Sequence, residues 1–211
     1  MKKKIVIVDY GLGNIISAKQ SFLKVIRDKK LNAEVVISNL PSEIHSSSHI
    51  VLPGQGAFGS CMDGLKNIDG MINALEVCVL KNHIPFLGIC VGMQLLAKES
   101  YENGIHQGLG WLDGSIKKLE VKNLKLPHMG WNNVKLVSGR SELNFFQENS
   151  DFYFVHSYFF DCFDKSNIIA LTEYGVLFPS IIGKENIYGV QFHPEKSSRQ
   201  GLDLINNFLS L

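Results

Sequence analysis

Cys90 stands where a nucleophile would be placed. In Pro85-Phe86-Leu87-Gly88-Ile89-Cys90-Val91-Gly92-Met93-Gln94-Leu95-Leu96, an apolar run ends at a cysteine flanked by glycines and a helix-like apolar pattern begins at once. The segment reads as strand, sharp turn and helix, the thiol counterpart of the G-x-S-x-G nucleophile elbow. Glycines suit the flanks because the turning residue is strained and its neighbours must approach without Cβ atoms. A helix N-terminus aimed at the sulfur favours thiolate over thiol. A cysteine kept only for packing requires none of these features.

A thiol nucleophile needs a base, and the base needs an orienting group. Gly189-Val190-Gln191-Phe192-His193-Pro194-Glu195-Lys196-Ser197 offers both near the C-terminus. His193 follows an apolar strand and Pro194 fixes the backbone. In an extended segment Glu195 faces the same way as His193, placed to hold the imidazole tautomer. Alone, His-Pro-Glu reads as a strand-end histidine beside a solvated glutamate; together with the elbow it reads as base and orienter. The third requirement is a set of backbone N–H groups aimed at developing negative charge. The Val91 N–H offers one, and the Gly54-Gln55-Gly56 loop is placed to supply a second, although a plain strand-to-helix turn fits that loop equally well. Phosphate binding fits less well, because the loop lacks the lysine and hydroxyl of a P-loop. Gly11-x-Gly13 likewise lacks the third glycine of a dinucleotide fingerprint.

These groups must be held by a scaffold, and the chain of 211 residues has the length for one α/β domain spanning residues 1–211. Lys+Arg 21 against Asp+Glu 20 gives a net charge of +1, so no bulk attraction to nucleic acid or anionic membrane is implied. The apolar runs are too short to cross a bilayer. The basic start followed by Ile5-Val6-Ile7-Val8 mimics a leader, but Asp9 interrupts it and no small-residue cleavage site follows, so a buried first strand is expected. Cys61, Cys78, Cys90 and Cys162 are widely spaced, which suggests neither a disulfide framework nor a zinc site, and points to a reducing cytoplasm.

Along the chain, Lys4 to Asp9 reads as a strand, followed by a turn and a helix to about Lys29. Ala33 to Ile37 and His49 to Leu52 read as strands, residues 53–59 as a glycine-rich loop, and Met71 to Lys81 as a helix before the elbow strand. That alternation predicts a mostly parallel sheet covered on both faces. In the second half, Ser115 to Val121, Asn133 to Val137, Asp151 to Ser157, Ile168 to Glu173, Leu177 to Gly183 and Tyr188 to Phe192 read as strands that add to the sheet in antiparallel fashion. Gly201 to Leu211 closes the chain as a helix. The fold expected is α/β, a mostly parallel central sheet with flanking helices and antiparallel strand additions.

With the elbow and the late His-Pro-Glu, the chain resembles the class I (triad) glutamine amidotransferases. Further blocks narrow the likeness: Asp9-Tyr10-Gly11-Leu12-Gly13-Asn14, Leu52-Pro53-Gly54 with Gly56-Ala57-Phe58, Pro127-His128-Met129-Gly130-Trp131-Asn132, and Phe154-Val155-His156-Ser157-Tyr158. Together they resemble the glutaminase subunits of histidine biosynthesis that serve a separate (βα)8-barrel cyclase in a heterodimer. The resemblance implies that Cys90 attacks the side-chain amide of glutamine, with backbone at Gly56 and Val91 binding the oxyanion and His193, oriented by Glu195, moving the protons. It implies that Gln94, Glu102 and the backbone of His156, Ser157 and Tyr158 hold the substrate glutamine. Ammonia would pass to the cyclase, which forms imidazole glycerol phosphate and aminoimidazole carboxamide ribotide. No metal or other cofactor is implied. Asn14, Tyr153 and Lys196 match family positions at the subunit interface, although a helix cap, a strand aromatic and a solvated charge describe them equally well from the residues alone. Gln55 stands where the family often has valine. Cys78 is expected in the core, His128 in loop architecture near the interface, and Trp131 as a packing anchor. A paralogue feeding a different synthase, such as one that amidates a surface sugar, is the nearest alternative. Glutaminases of pyridoxal phosphate synthesis, cysteine-elbow proteins with histidine after the nucleophile, and a non-catalytic subunit fit less well.

Overall fold

The computed structural model describes residues 2–137 and 150–211. The first strands are β1 (Lys3–Val8), β2 (Ala33–Ser38), β3 (His49–Gly54) and β4 (Phe86–Cys90), with helices α1 (Ile15–Asp28), α2 (Pro41–His45), α3 (Phe58–Lys66), α4 (Met71–Glu76) and α5 (Val91–Gln94). There follow β5 (Glu99–Ser100), β6 (His106–Gln107), β7 (Gly114–Lys118), β8 (His128–Leu136), β9 (Ser150–His156), β10 (Tyr158–Cys162), β11 (Ile168–Glu173), β12 (Leu177–Lys184) and β13 (Ile187–Val190), and the chain closes with α6 (Ser198–Phe208). Among the described residues a nine-stranded sheet runs in the order β2-β1-β3-β4-β13-β12-β11-β8-β9. The strands from β2 to β13 are parallel, and each pairing beyond β13 is antiparallel.

The physical reasons are local. Ile5, Val6, Ile7 and Val8 are all fully buried, as a β-branched run covered on both faces must be. α1 buries Ala18, Ser21, Phe22, Val25 and Ile26, one stripe at helical spacing laid on the sheet. α6 joins it, with Phe208 edge-on to Phe22 and to His49.

Several expectations are corrected. The Pro127–Asn132 block does not form a loop: its residues from His128 onward begin β8, which pairs with β9 from His128↔His156 to Val134↔Ser150. The expected strand 151–157 stops at His156, and Tyr158–Cys162 turns away into a second, four-stranded sheet of order β10-β7-β5-β6, which sequence reading did not foresee. Helices α2 and α3 were also unforeseen. The helix expected over 71–81 changes from α to a π-helical turn at Val77–Lys81.

Candidate active site

Three parallel strands end at one place. Gly54 at the end of β3 lies opposite Cys90 at the end of β4, and Val190 of β13 lies opposite Ile89. Continuing two and three residues past that pairing, the chain carries Phe192 and His193 over the same edge. A site at the carboxyl ends of parallel strands is where open α/β sheets bind ligands.

The elbow has the strained geometry expected of it. Cys90 adopts φ 55° and ψ −111°, positive φ in a residue that is not glycine. Its glycine neighbours are required by contact. A Cβ on Gly92 would collide with the Leu52 carbonyl oxygen, one on Gly88 would lie 2.6 Å from the Gly92 oxygen, and one on Gly54 would lie 2.5 Å from the Gly92 nitrogen. The turn therefore packs backbone on backbone.

His193 and Glu195 form the pair that spacing predicted: Nδ1 lies 2.8 Å from Glu195 Oε1, with both side chains buried. Burial alone would depress the His193 pKa. The Cys90 sulfur and the Glu195 carboxylate outweigh it and push the imidazole up to about 10. The ring thus holds its second proton at neutral pH, while buried Nε2 is engaged in no hydrogen bond among the described residues.

A cavity of about 270 Å³ opens over the sulfur. Cys90, Gly56, Val91, Gln94, Glu102, His156, Ser157, Tyr158 and His193 all line it, together with Gln55, Pro127 and Val155. Its size is near the lower end of ligand pockets, suited to an amino acid rather than a nucleotide. Gly56 has φ 107°, and the loop around it is tied from behind. The Tyr10 hydroxyl donates to the Pro53 carbonyl at 2.7 Å, the Cys61 thiol approaches the Gln55 carbonyl at 3.6 Å, and Glu102 Oε2 accepts from the Phe58 N–H at 2.7 Å.

Gln191, two residues before His193, gains a role only from its partners. It is fully buried, its Nε2 lies 3.8 Å from the Cys90 sulfur, and its Oε1 accepts from Gln94 Nε2 at 3.1 Å. Gln94 Nε2 also donates to the Tyr158 carbonyl at 2.9 Å. Period-two spacing from His193 was the available signal, since alternate residues of an extended segment share a face.

The remaining residues divide. Lys196 Nζ lies 5.9 Å from the centroid of Tyr153, which packs edge-on against Trp131. Trp131 is 54% exposed and Met129 61%, so Trp131 is a surface aromatic and not the packing anchor expected. Asn14 occupies the N-cap position of α1, but its side chain makes no capping bond, which removes the simplest structural account of it. Cys78 is in the core as expected, and Cys61 and Cys162 are buried too.

A cysteine on a strained elbow, a buried His–Glu pair and a shared pocket are the parts that thiol-dependent acyl transfer requires, and the family agrees with them. Residues 6–211 match the description "Glutamine amidotransferase class-I", and the chain belongs to that family. Two solved structures, both under 25% identical, have the same fold: a glutamine amidotransferase (TM-score 0.71, 16% identity, 97% of each chain covered) and a glutamine amidotransferase from Thermotoga maritima (TM-score 0.63, 22% identity, 100% of this chain and 84% of that one).

Within the family the likeness is more particular. The chain is 44% identical over 209 residues to imidazole glycerol phosphate synthase subunit HisH of Rhodospirillum rubrum, covering 98% of both. It is 46% identical over 209 residues to the Pelagibacter ubique HisH subunit, covering 98% of this chain and 99% of the other. It is 44% identical over 206 residues to HisH 2 of Methanococcus maripaludis, covering 97% and 98%.

Proposed function

We propose that the chain is the glutaminase subunit of an imidazole glycerol phosphate synthase, one amidotransferase domain that releases ammonia from glutamine for histidine biosynthesis. The observation that carries the reading is the buried Cys90 elbow sharing a small cavity with the His193–Glu195 pair.

The steps follow from the groups present. With its proton held by His193, the Cys90 sulfur attacks the side-chain amide carbon of glutamine, and the carbonyl oxygen becomes an oxyanion received by the Gly56 and Val91 N–H groups. As the C–N bond breaks, His193 gives its proton to the departing nitrogen, which leaves as ammonia. The neutral imidazole then takes a proton from water, whose oxygen attacks the thioester; the C–S bond breaks, glutamate leaves, and the sulfur returns as thiolate beside the reprotonated His193. Glu195 holds the ring through Nδ1 during both transfers. Gln94, Glu102 and the 156–158 segment hold the glutamine.

Ammonia passes to a separate (βα)8-barrel cyclase subunit. The exposed Met129 and Trp131 beside Tyr153, with Lys196 over that ring, form the kind of apolar surface that partners cover; Asn14 is assigned to the same interface by family position. No helix among the described residues is long and apolar enough to cross a membrane. With four free cysteines, the cytoplasm is the compartment proposed.

The test is glutamate release from glutamine, with and without a histidine-pathway barrel cyclase and its nucleotide ligand, using Cys90→Ala as control. Strong stimulation by the cyclase, abolished in Cys90→Ala, is expected. Cysteine-dependent release indifferent to the cyclase would move the chain to another synthase. No release under any condition would overturn the glutaminase reading.

A further inference from the structure

Behind the 156–158 wall of the pocket a row of hydrogen-bonded side chains leads outward from buried His156 through buried His128 to half-buried Asn132, and the reaction assigns no role to the last two. His156 Nδ1 is 2.9 Å from the Tyr158 carbonyl, His156 Nε2 is 3.0 Å from His128 Nδ1, and His128 Nε2 is 3.1 Å from Asn132 Nδ2. Asn132 Nδ2 also donates to the Glu173 carbonyl at 2.9 Å, while Asn132 Oδ1 accepts from the Asn133 N–H at 2.8 Å.

We propose that His128 and Asn132 are positioning residues for the glutamine pocket, acting through His156 along a hydrogen-bonded row that admits one arrangement of protons. The ends of the row fix that arrangement. The Tyr158 carbonyl only accepts, so His156 carries a proton on Nδ1. The Asn133 N–H fixes which way the Asn132 amide points, so His128 Nε2 must accept. His128 therefore carries its proton on Nδ1 and donates it to His156 Nε2. A second proton on either ring would set donor against donor.

The surroundings hold both rings neutral. Burial is the first cause in each case, pushing His128 down to about 4 and His156 down to about 3. The charged and titratable neighbours acting on His156 are His128 and His193, and each opposes a further positive charge there. His128 is sandwiched between Phe154 and Tyr174, with centroids at 4.8 and 4.1 Å, so its ring has one orientation.

What the row positions is the pocket wall. His156 binds the carbonyl two residues ahead of it, which sets the turn that presents Ser157 to the cavity. The same Tyr158 carbonyl accepts from Gln94, which leads through Gln191 to the Cys90 sulfur. Asn132 and His128 meanwhile line the outer cleft of about 650 Å³ beside Met129 and Trp131. The row thus spans from an exposed face to the substrate wall.

The proposal rests on the glutaminase reading for its kinetic arm only. In the full chain with its cyclase, His128→Phe keeps the stacked ring and removes the donor to His156. It is expected to raise KM for glutamine about tenfold with kcat within about twofold. His128→Asn restores a donor near the Nδ1 position and is expected to recover most of the KM. A loss confined to kcat, or no advantage of Asn over Phe, would overturn the proposal. Nitrogen-15 NMR of the unmutated chain requires no activity: both rings are expected neutral with protons on Nδ1 from pH 5.5 to 8. A proton on Nε2 of either ring, or titration near pH 6.5, would overturn it even if glutaminase activity is confirmed.

Discussion

The parallel half and the antiparallel half of the large sheet handle the same problem in opposite ways. At the ends of β3, β4 and β13 the backbone is packed so closely that Gly54, Gly88 and Gly92 leave no room for a Cβ. The groups assigned to the chemistry sit there: Cys90 at positive φ, and an imidazole whose pKa the Cys90 sulfur and Glu195 push up against burial. In the β8–β9 pair, Gly130 also has positive φ, 132°, yet a Cβ there would meet nothing within 4 Å. That half carries neutral, hydrogen-bonded histidines on its inner side and exposed Met129 and Trp131 on its outer side. A strained nucleophile requires surroundings that over-determine it. A wall that shapes a substrate and faces a partner can be less crowded.

Four changes would break or sharpen this contrast. The largest effect is expected from Glu195→Gln, which replaces the carboxylate holding His193 Nδ1. Glutamate release should fall about ten-thousandfold, by analogy with amide replacement of a triad carboxylate, and stability should fall too because the imidazole loses its buried partner. Next comes a matched pair of glycines. Gly92→Ala drives a methyl group into the Leu52 carbonyl and should cost more than about 4 kcal/mol, whereas Gly130→Ala meets only backbone strain of about 1–3 kcal/mol. Urea unfolding of the two variants measures the difference; equal losses would erase the distinction between the halves.

The third change is pH. His193 has a folded pKa raised above its ordinary value near 6.5, so its contribution to stability is full below about 6.5 and is lost as pH climbs toward about 10. His128 and His156 have depressed values, so theirs is present above about 6.5 and is lost as pH falls toward about 4 and 3. The halves should therefore weaken at opposite ends of the scale. His193→Gln should flatten the alkaline limb of a stability profile and leave the acid limb, and the reverse outcome would refute the charge assignment. The smallest effect on the isolated chain is expected from Trp131→Ala, within about 0.5 kcal/mol of stability because the ring is half exposed. Its effect should appear in affinity for the cyclase, measured by titration calorimetry.

The same contrast governs how much could be read from the residues. The elbow was legible because a nucleophile on a tight turn demands glycine at its flanks, and contact distances bear that demand out. His193 with Glu195 was legible from the spacing, but the extended segment expected there is not what joins them: Pro194–Lys196 forms a 3₁₀ turn that His193 caps. The parallel strands were legible as continuous apolar runs. The antiparallel half was less so. β8 turns Met129 and Trp131 outward and His128 inward, which inverts the usual sense of alternation, and the family resemblance pointed to loop architecture there. β5 and β6 are two residues each, too short to carry a period. α3 buries Phe58, Cys61, Met62 and Leu65 at helical spacing, yet Gly59 and Gly64 disguised it; a Cβ at either would strike His106 or Tyr10. Gln191 was hidden because a polar residue inside an apolar strand declares its role only through its partners, Gln94 and Cys90.

The central claim is that Cys90, and no other thiol, performs the reaction. Treatment of the full chain and its cyclase with an electrophilic glutamine analogue, a chloroketone, followed by peptide mapping, tests this directly. Stoichiometric labelling of Cys90, slowed by glutamine and accompanied by loss of glutamate release, is the predicted result. Labelling at Cys61, Cys78 or Cys162 instead, or labelling of Cys90 that glutamine does not slow, would contradict it.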